Sequence, residues 1–150
     1  MSNREDPLVS FHFRLEVSGT VALTGYFSEC GGIGSESEVV TTKVVDKAGH
    51  SVELKQPGRL KWQDITLKRG ITSNMEIWKW REYVEKGDLK SARANGSIVM
   101  ISQDYSKDIA RWNFNAAWPS KVTGPSVKAD SNEIGIEEMV IVHEGLTRVQ

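Results

Sequence analysis

Leu67–Gly87, LKRGITSNMEIWKWREYVEKG, is the one stretch of the chain that reads as an amphipathic helix, and the rest takes its place around it. Ser73 stands where an N-cap belongs and Glu76, three residues on, completes a capping box, which predicts a helix from Asn74. Ile77, Trp80, Arg81 and Val84 recur at three- and four-residue spacing, with Met75 and Trp78 widening the apolar stripe. Such a stripe must be covered, so Ile77, Trp80 and Val84, with Trp112 from a strand, are expected to form the core between helix and sheet. Lys86 suits the negative end of the helix dipole and Gly87 can end the helix, giving about four turns.

Working upstream, Val9, Phe11, Phe13, Leu15 and Val17 alternate with Ser10, His12, Arg14, Glu16 and Ser18, the pattern of a half-buried strand. Ser18-Gly19 turns the chain back, and Val21, Leu23 and Phe27 continue as the return strand of a hairpin. Gly31, Gly32 and Gly34 mark a tight inter-strand turn, and Val39 to Val45 reads as a third strand rich in β-branched residues. Asp46 to His50 is a loop around Gly49, Val52 and Leu54 suggest a short strand, and Gln56-Pro57-Gly58 reads as a turn. Leu60 and Trp62 alternate while Ile65 and Leu67 resume one step out of phase, which predicts a bulge near Asp64.

Downstream of the helix, a basic connection through Lys90 and Arg93 leads to an Asn95-Gly96 turn and a buried strand from Ile98 to Ile101. Gln103 to Asp108 is a polar reversal. Trp112, Phe114, Ala116 and Trp118 then alternate against Arg111, Asn113, Asn115 and Ala117 until Pro119 ends the strand. Ile134 to His143 is the last strand, its phase disturbed at Glu137-Glu138. Met1 to Pro7 is polar and expected to be loose. The expected fold is mainly β, a single domain over 1–150, with a sandwich or barrel of roughly seven or eight strands and one flanking α-helix. Its long, lightly charged early strands leave edges that another subunit can pair.

Composition narrows the function classes. Hydrophobic residues are 39% and charged residues 26% of the chain, a globular balance. A formal charge of -1 offers no bulk attraction for nucleic acid, and no apolar run approaches the ~20 residues that span a bilayer. Neither sequence-specific nucleic-acid readout nor stable membrane insertion is expected. The first residues lack the basic and apolar runs of an export signal, so synthesis in the cytoplasm without a signal peptide is expected. Cys30 is the single cysteine, which excludes an intrachain disulfide and a cysteine-based metal site, and it reads as a small buried hydrophobe.

His12, His50 and His143 have no ligand spacing among them, and no Gly-Lys-Ser/Thr follows the glycines at 31–34, so neither metal nor cofactor is expected. Glu36 with Glu38, and Glu137 with Glu138, are the carboxylate pairs available for acid and base work, and both read as solvated faces. The tryptophans at 62, 78, 80, 112 and 118 fall on apolar phases, which makes core the reading for at least three of them. No enzyme is expected.

From Leu67 onward the chain carries Leu67-Lys68-Arg69-Gly70, Trp78-x-Trp80, Arg111-Trp112-Asn113-Phe114, Trp118-Pro119-x-Lys121, Gly124-Pro125, Asn132-Glu133 and His143-Glu144-Gly145-Leu146. In this order and spacing the sequence closely resembles the tail tube family of contractile injection systems, the inner tube of contractile phage tails and of related extracellular particles. The resemblance implies a β-barrel with a flanking helix, assembled as hexameric rings that stack into a hollow tube and driven through a target envelope when a sheath contracts. It implies as partners the chain itself, a sheath protein, a baseplate hub and spike and a tube terminator, with a lumen open to cargo. The implied destination is a phage tail or phage-tail-like particle, extracellular after lysis.

The same resemblance makes the segment from about Val44 to Leu60 the reach toward the adjacent ring, with Asp46, Lys47, His50 and Arg59 as ring-stacking candidates. The chain departs from its relatives in the reversal Gln103-Asp104-Tyr105-Ser106-Lys107-Asp108, where they often carry a glycine. Two alternatives stay open on the sequence: a tube-initiator ring at the baseplate, and a monomeric β-barrel binding module using exposed tryptophans.

Overall fold

The computed structural model describes residues 11–126 and 135–150. The expectations for Met1 to Pro7, for a first strand beginning at Val9, for Asn132-Glu133 and for a last strand beginning at Ile134 lie outside the described residues. The described residues form β1 (His12–Ser18), β2 (Leu23–Phe27), β3 (Glu29–Gly31), β4 (Ser35–Val45), β5 (Ser51–Trp62), β6 (Ile65–Gly70), α1 (Glu76–Glu85), α2 (Leu89–Ala92), β7 (Ala94–Ile101), β8 (Asp108–Thr123), β9 (Ile136–Val142) and β10 (Gly145–Arg148).

β8 is the spine. Its first part pairs with β7 on one side and, over Trp112–Asn115, with β10 on the other, while Trp118–Thr123 pairs with β9. The order is β2-β1-β7-β8-β9-β6-β3, antiparallel in every pairing. Between the two parts Ala116 adopts φ +50, and the register against β7 slips between Ala94 and Gly96, so the strand bends there. Asn95 Oδ1 accepts the amide of Ala116 at 3.1 Å, so the backbone donor freed by the slip is satisfied. At the far ends β2 runs through Ser28 into β3, and the Ser28 amide donates to the Lys68 carbonyl at 2.9 Å. The sheet therefore curls back on itself into a barrel around Leu15, Phe27, Ile65, Leu67, Ile98, Phe114, Met139 and Ile141.

Two sequence expectations change here. Asn95 and Gly96 lie inside β7 and make no turn; a Cβ at Gly96 would stand 2.2 Å from the Glu16 carbonyl oxygen and 2.8 Å from the Phe114 ring, so glycine is there for close approach. Pro119 does not end β8, because a register slip between Pro119 and Lys121 absorbs its missing donor. The barrel sheet has eight strands among the described residues, within the expected seven or eight, and what is added is the separate two-stranded sheet of β4 and β5.

The helix is shorter than expected. α1 begins at Glu76, and Ser73 does not cap it; Thr72 Oγ1 accepts the amide of Asn74 at 3.1 Å and Asn74 Oδ1 accepts that of Glu76 at 2.9 Å. Two successive side-chain turns thus hold the segment where one capping box was predicted. Gly87 follows α1 with φ +82, as read, and the basic connection coils into α2 under an Asp88 cap that accepts from the Ser91 amide.

Ile77 and Trp80 are fully buried, and Trp80 Nε1 donates to the Ala92 carbonyl at 2.7 Å, pinning α1 to α2. Val84 is half-buried, and Trp112 stands apart from the helix-to-sheet core, half-buried under the Arg148 guanidinium at 5.6 Å. Trp62, Trp78 and Trp118 are also half-buried, which leaves Trp80 as the one fully buried tryptophan. Trp80→Ala is expected to lose about 3–5 kcal/mol in urea unfolding. An unchanged midpoint would refute its placement as the keystone.

The phase of β9 is not disturbed. Glu137, Met139 and Ile141 all point inward, and Glu137 is only 3% exposed. It sits in register with Arg69, which holds the matching inward phase after Ile65 and Leu67 on β6. Arg69 Nε donates to Glu137 Oε2 at 3.0 Å, Trp78 Nε1 donates to Glu137 Oε1 at 2.9 Å, and Arg69 Nη2 donates to the Asn74 carbonyl at 3.2 Å. The Arg69 guanidinium also lies 5.0 Å over the Phe27 ring. The solvated-face reading of Glu137 is therefore corrected: one buried ion pair ties β6, β9 and α1 together.

Candidate assembly interface

Among the described residues β4 and β5 pair only with each other, forming a ribbon that leaves the barrel. Every residue from Ser35 to Lys61 is exposed. Gln56-Pro57-Gly58 is not a turn, since β5 runs straight through it from Ser51 to Trp62. Pro57 is tolerated because each strand of a two-stranded ribbon is an edge. The register slips between Ser37 and Val39, so one extra residue on β5 is accommodated opposite Glu38.

The root of the ribbon is tightly built. A Cβ on Gly32, at φ +79, would fall 1.8 Å from the Asp64 carbonyl oxygen, so only glycine passes there. The Gln63 amide donates to the Gly34 carbonyl at 3.1 Å, and His143 Nε2 lies 3.1 Å from the Gln63 carbonyl with its ring 5.8 Å from that of Trp62. In place of the predicted bulge near Asp64, the chain breaks between β5 and β6 where the ribbon joins the barrel.

The four ring-stacking candidates do not form one cluster. Asp46, Lys47 and His50 occupy the tip, while Arg59 stands far down β5 beside Glu36, Glu38 and Lys61. Asp46 is engaged within the turn: its Oδ1 accepts the amides of Ala48 at 2.9 Å and His50 at 2.8 Å. Its Oδ2 lies 3.5 Å from His50 Nδ1, a solvent-screened contact of small energy.

What sequence reasoning missed is that one ribbon face carries no charge between Val40 and Val52. Val44 faces Val52, Thr42 faces Leu54 and Val40 faces Gln56 across the ladder, and paired residues share a face. The opposite face pairs Lys43 with Glu53 and Thr41 with Lys55, and also Val45 with Ser51 and Val39 with Pro57, so it too exposes apolar side chains, Val39 at 67% and Val45 at 72%. The signal was the alternation itself, which becomes readable only once the register joins the two strands.

A second exposed surface is the outer face of the sheet around β1, β7 and β8. Arg14 donates to Glu16 and to Asp108, each at 3.0 Å, and Arg111 donates to Glu16 at 2.7 Å. Val99, in register with both arginines, is fully buried beneath them. Burial pushes the Glu16 carboxyl up, but Arg111 and Arg14 outweigh it and hold it below its ordinary value; the hydrogen bond from Arg14 does the same for Asp108. A carboxylate depressed in the folded state stabilises above its unfolded pKa, and that contribution fades as pH falls through the folded one. The urea midpoint is therefore expected to drop between pH 6 and pH 3, and Glu16→Gln should flatten that drop. Equal pH dependence in the two proteins would count against the network.

The adjoining reversal is held by Asp104, whose carboxyl the Ser106 and Ser102 hydroxyls keep down at about 2. Tyr105 takes φ +62 there, a conformation glycine adopts without strain, with its ring stacked on His12 at 4.4 Å.

A family model described as T4-like virus tail tube protein gp19 matches residues 9–147. Among solved structures, a chain from the PVC sheath-tube complex of an extracellular contractile injection system, in its extended state, superposes with a TM-score of 0.71 at 21% identity over 99% of this chain and 98% of that one. A chain from the PVC sheath/tube terminator does so at 0.72 and 19% identity over 100% of both. Hcp1 from Flavobacterium johnsoniae matches at 0.55 and 16% identity, over 92% of this chain and 94% of its own. No curated protein matches the sequence. The structures share the barrel with its flanking helix, and the family model spans nearly the whole chain, so this protein belongs to the T4-like virus tail tube protein gp19 family.

Proposed function

We propose that this tail tube family member works as a single-domain, non-catalytic subunit of the inner tube of a contractile injection system. It assembles as hexameric rings that stack into a hollow tube, which is driven through a target envelope when the surrounding sheath contracts. The observation that carries the reading is the β4–β5 ribbon, exposed from Ser35 to Lys61 and, among the described residues, paired with nothing else. An isolated two-stranded hairpin is marginal in water, so a neighbour is what gives it a fixed place.

The similarity to chains from sheath-tube, sheath/tube terminator and baseplate assemblies supports a sheath protein, a terminator and a baseplate as further partners. On this reading the subunit is made in the cytoplasm and ends in a phage tail or phage-tail-like particle. A second reading is a terminal or initiating ring, favoured by the equally good superposition on the terminator chain.

Negative-stain electron microscopy with light scattering over a concentration series tests both. Striated hollow rods are the expected result. Rings that never stack would select the terminal or initiating ring. A particle that stays monomeric at every concentration, and also in the presence of the baseplate hub, would overturn the tube reading in favour of a binding module.

A further inference from the structure

We infer that Tyr105, in the turn between β7 and β8, is a knob that one copy of this chain inserts into the cleft beside Trp62 and β10 at the opposite end of another copy. The inference rests on the tube reading and adds to it a contact outside the ribbon. Tyr105 holds φ +62, where a side chain carries a cost that glycine would not. Such strain persists only where the surroundings impose it. Here Asp104 Oδ1 accepts the Ser106 amide at 3.0 Å and the hydroxyls of Ser102 and Ser106 at 2.7 and 2.6 Å, and the Tyr105 amide donates to the Ser102 carbonyl at 3.0 Å. The turn is thus fixed without any bond from the Tyr105 side chain. Its ring is 57% exposed, stacked on His12 and edge-on at 6.0 Å to Tyr26, which is itself 50% exposed. A rigid turn that bears strain to hold an exposed ring against two others is built for contact, because a ring already fixed in place loses little freedom on binding.

The matching surface lies at the other end of the same sheet. Asn115 stands roughly 24 Å along β8 from Asp108, so the ring cannot reach it within one subunit. There Trp62, Leu146, Asn115, Glu144 and Thr147 line an open cleft of about 380 Å³. Trp62 and Leu146 offer apolar walls to a phenol ring, and the exposed Asn115 and Glu144 offer acceptors to its hydroxyl. A second copy is the occupant the observations favour, because the chain belongs to a family of tube proteins and every copy carries both knob and cleft. The two surfaces differ and sit at opposite ends of β8, so the contact is head-to-tail and propagates where a self-complementary one would close at a pair. One side chain in one cleft is weak alone and gains strength by repetition around a ring.

The test uses the full chain in two single variants, Gln103→Cys beside the knob and Thr147→Cys in the cleft, treated with a short bismaleimide after assembly. Cys30 stays silent because burial pushes its thiol up to about 12. A mixture of the two variants is expected to give covalent dimers that neither gives alone. Rods of the mixture that do not cross-link, or a Gln103→Cys protein that cross-links to itself equally well, overturn the inference. Tyr105→Gly should melt within a few degrees of the parent, since relief of the backbone offsets the lost stacking, while the concentration needed for assembly rises by about tenfold or more. A folded Tyr105→Gly protein that assembles at the parental concentration overturns the knob and leaves the tube reading standing. A parent protein that never assembles overturns both, and the cross-link does not depend on how the glycine variant folds.

Discussion

Replacing Ser37–Leu60 by a two-residue Asn-Gly turn is expected to give a subunit that folds and melts like the parent but forms no rods. Glu36 and Lys61 lie opposite each other in the ladder, so a two-residue link can close the hairpin there without moving either strand. Nothing of the core is removed, because every residue excised is exposed. What is lost is both exposed faces of the ribbon and the tip together. Thermal melting by circular dichroism and electron microscopy of the same preparation read the two consequences separately. Rods from this variant would place the contact between copies elsewhere on the barrel, and a collapse in melting temperature would mean that the ribbon braces the fold.

Glu137→Ala is expected to cost about 3–5 kcal/mol, the cost of leaving a buried charge uncompensated. The loss strands the Arg69 guanidinium, which is 5% exposed, and takes away the acceptor of Trp78 Nε1. Against the 5–15 kcal/mol that holds a typical domain folded, that loss threatens folding at physiological temperature. Arg69→Met should cost a comparable amount, and Arg69→Met with Glu137→Leu much less than the two together, because a well-packed apolar pair needs no counter-charge. Urea unfolding of the four proteins closes the cycle. Additive losses would show that the two residues act independently and that the pair is incidental.

Much of the fold was legible because β1, β2, β6 and β9 each bury one face, so their side chains alternate. The ribbon was legible in part: Val39–Val45 falls in β4, Val52 and Leu54 in β5 and Asp46–His50 in the loop between them. Its extent was not, because both of its faces are wet within the subunit, so its strands carry no inward phase to read and Gln56-Pro57-Gly58 took the appearance of a turn. Glu137 was missed for a different reason. Its position in the alternation with Met139 and Ile141 was plain, but a carboxylate on an inward phase was taken as a break in the pattern. Arg69, on the same phase as Ile65 and Leu67, was the sign that two such residues would meet. Ser73 failed as a cap because Thr72 and Asn74 formed overlapping turns one residue to either side, a local competition that a motif match cannot rank. The candidates Asp46, Lys47, His50 and Arg59 were drawn from a family pattern, and only the register separates the tip from the stem.

The long strand β8 belongs to both halves of the barrel, bound to β7 and β10 before its bend and to β9 after it. Neither half can therefore come apart while the other stays intact, because opening either one exposes the strand that the other needs. In hydrogen-exchange terms the amides of β8 should exchange only with global unfolding, in a single cooperative step. A rod made of such subunits bends and breaks between copies, where contacts are weak and many, before any one subunit yields.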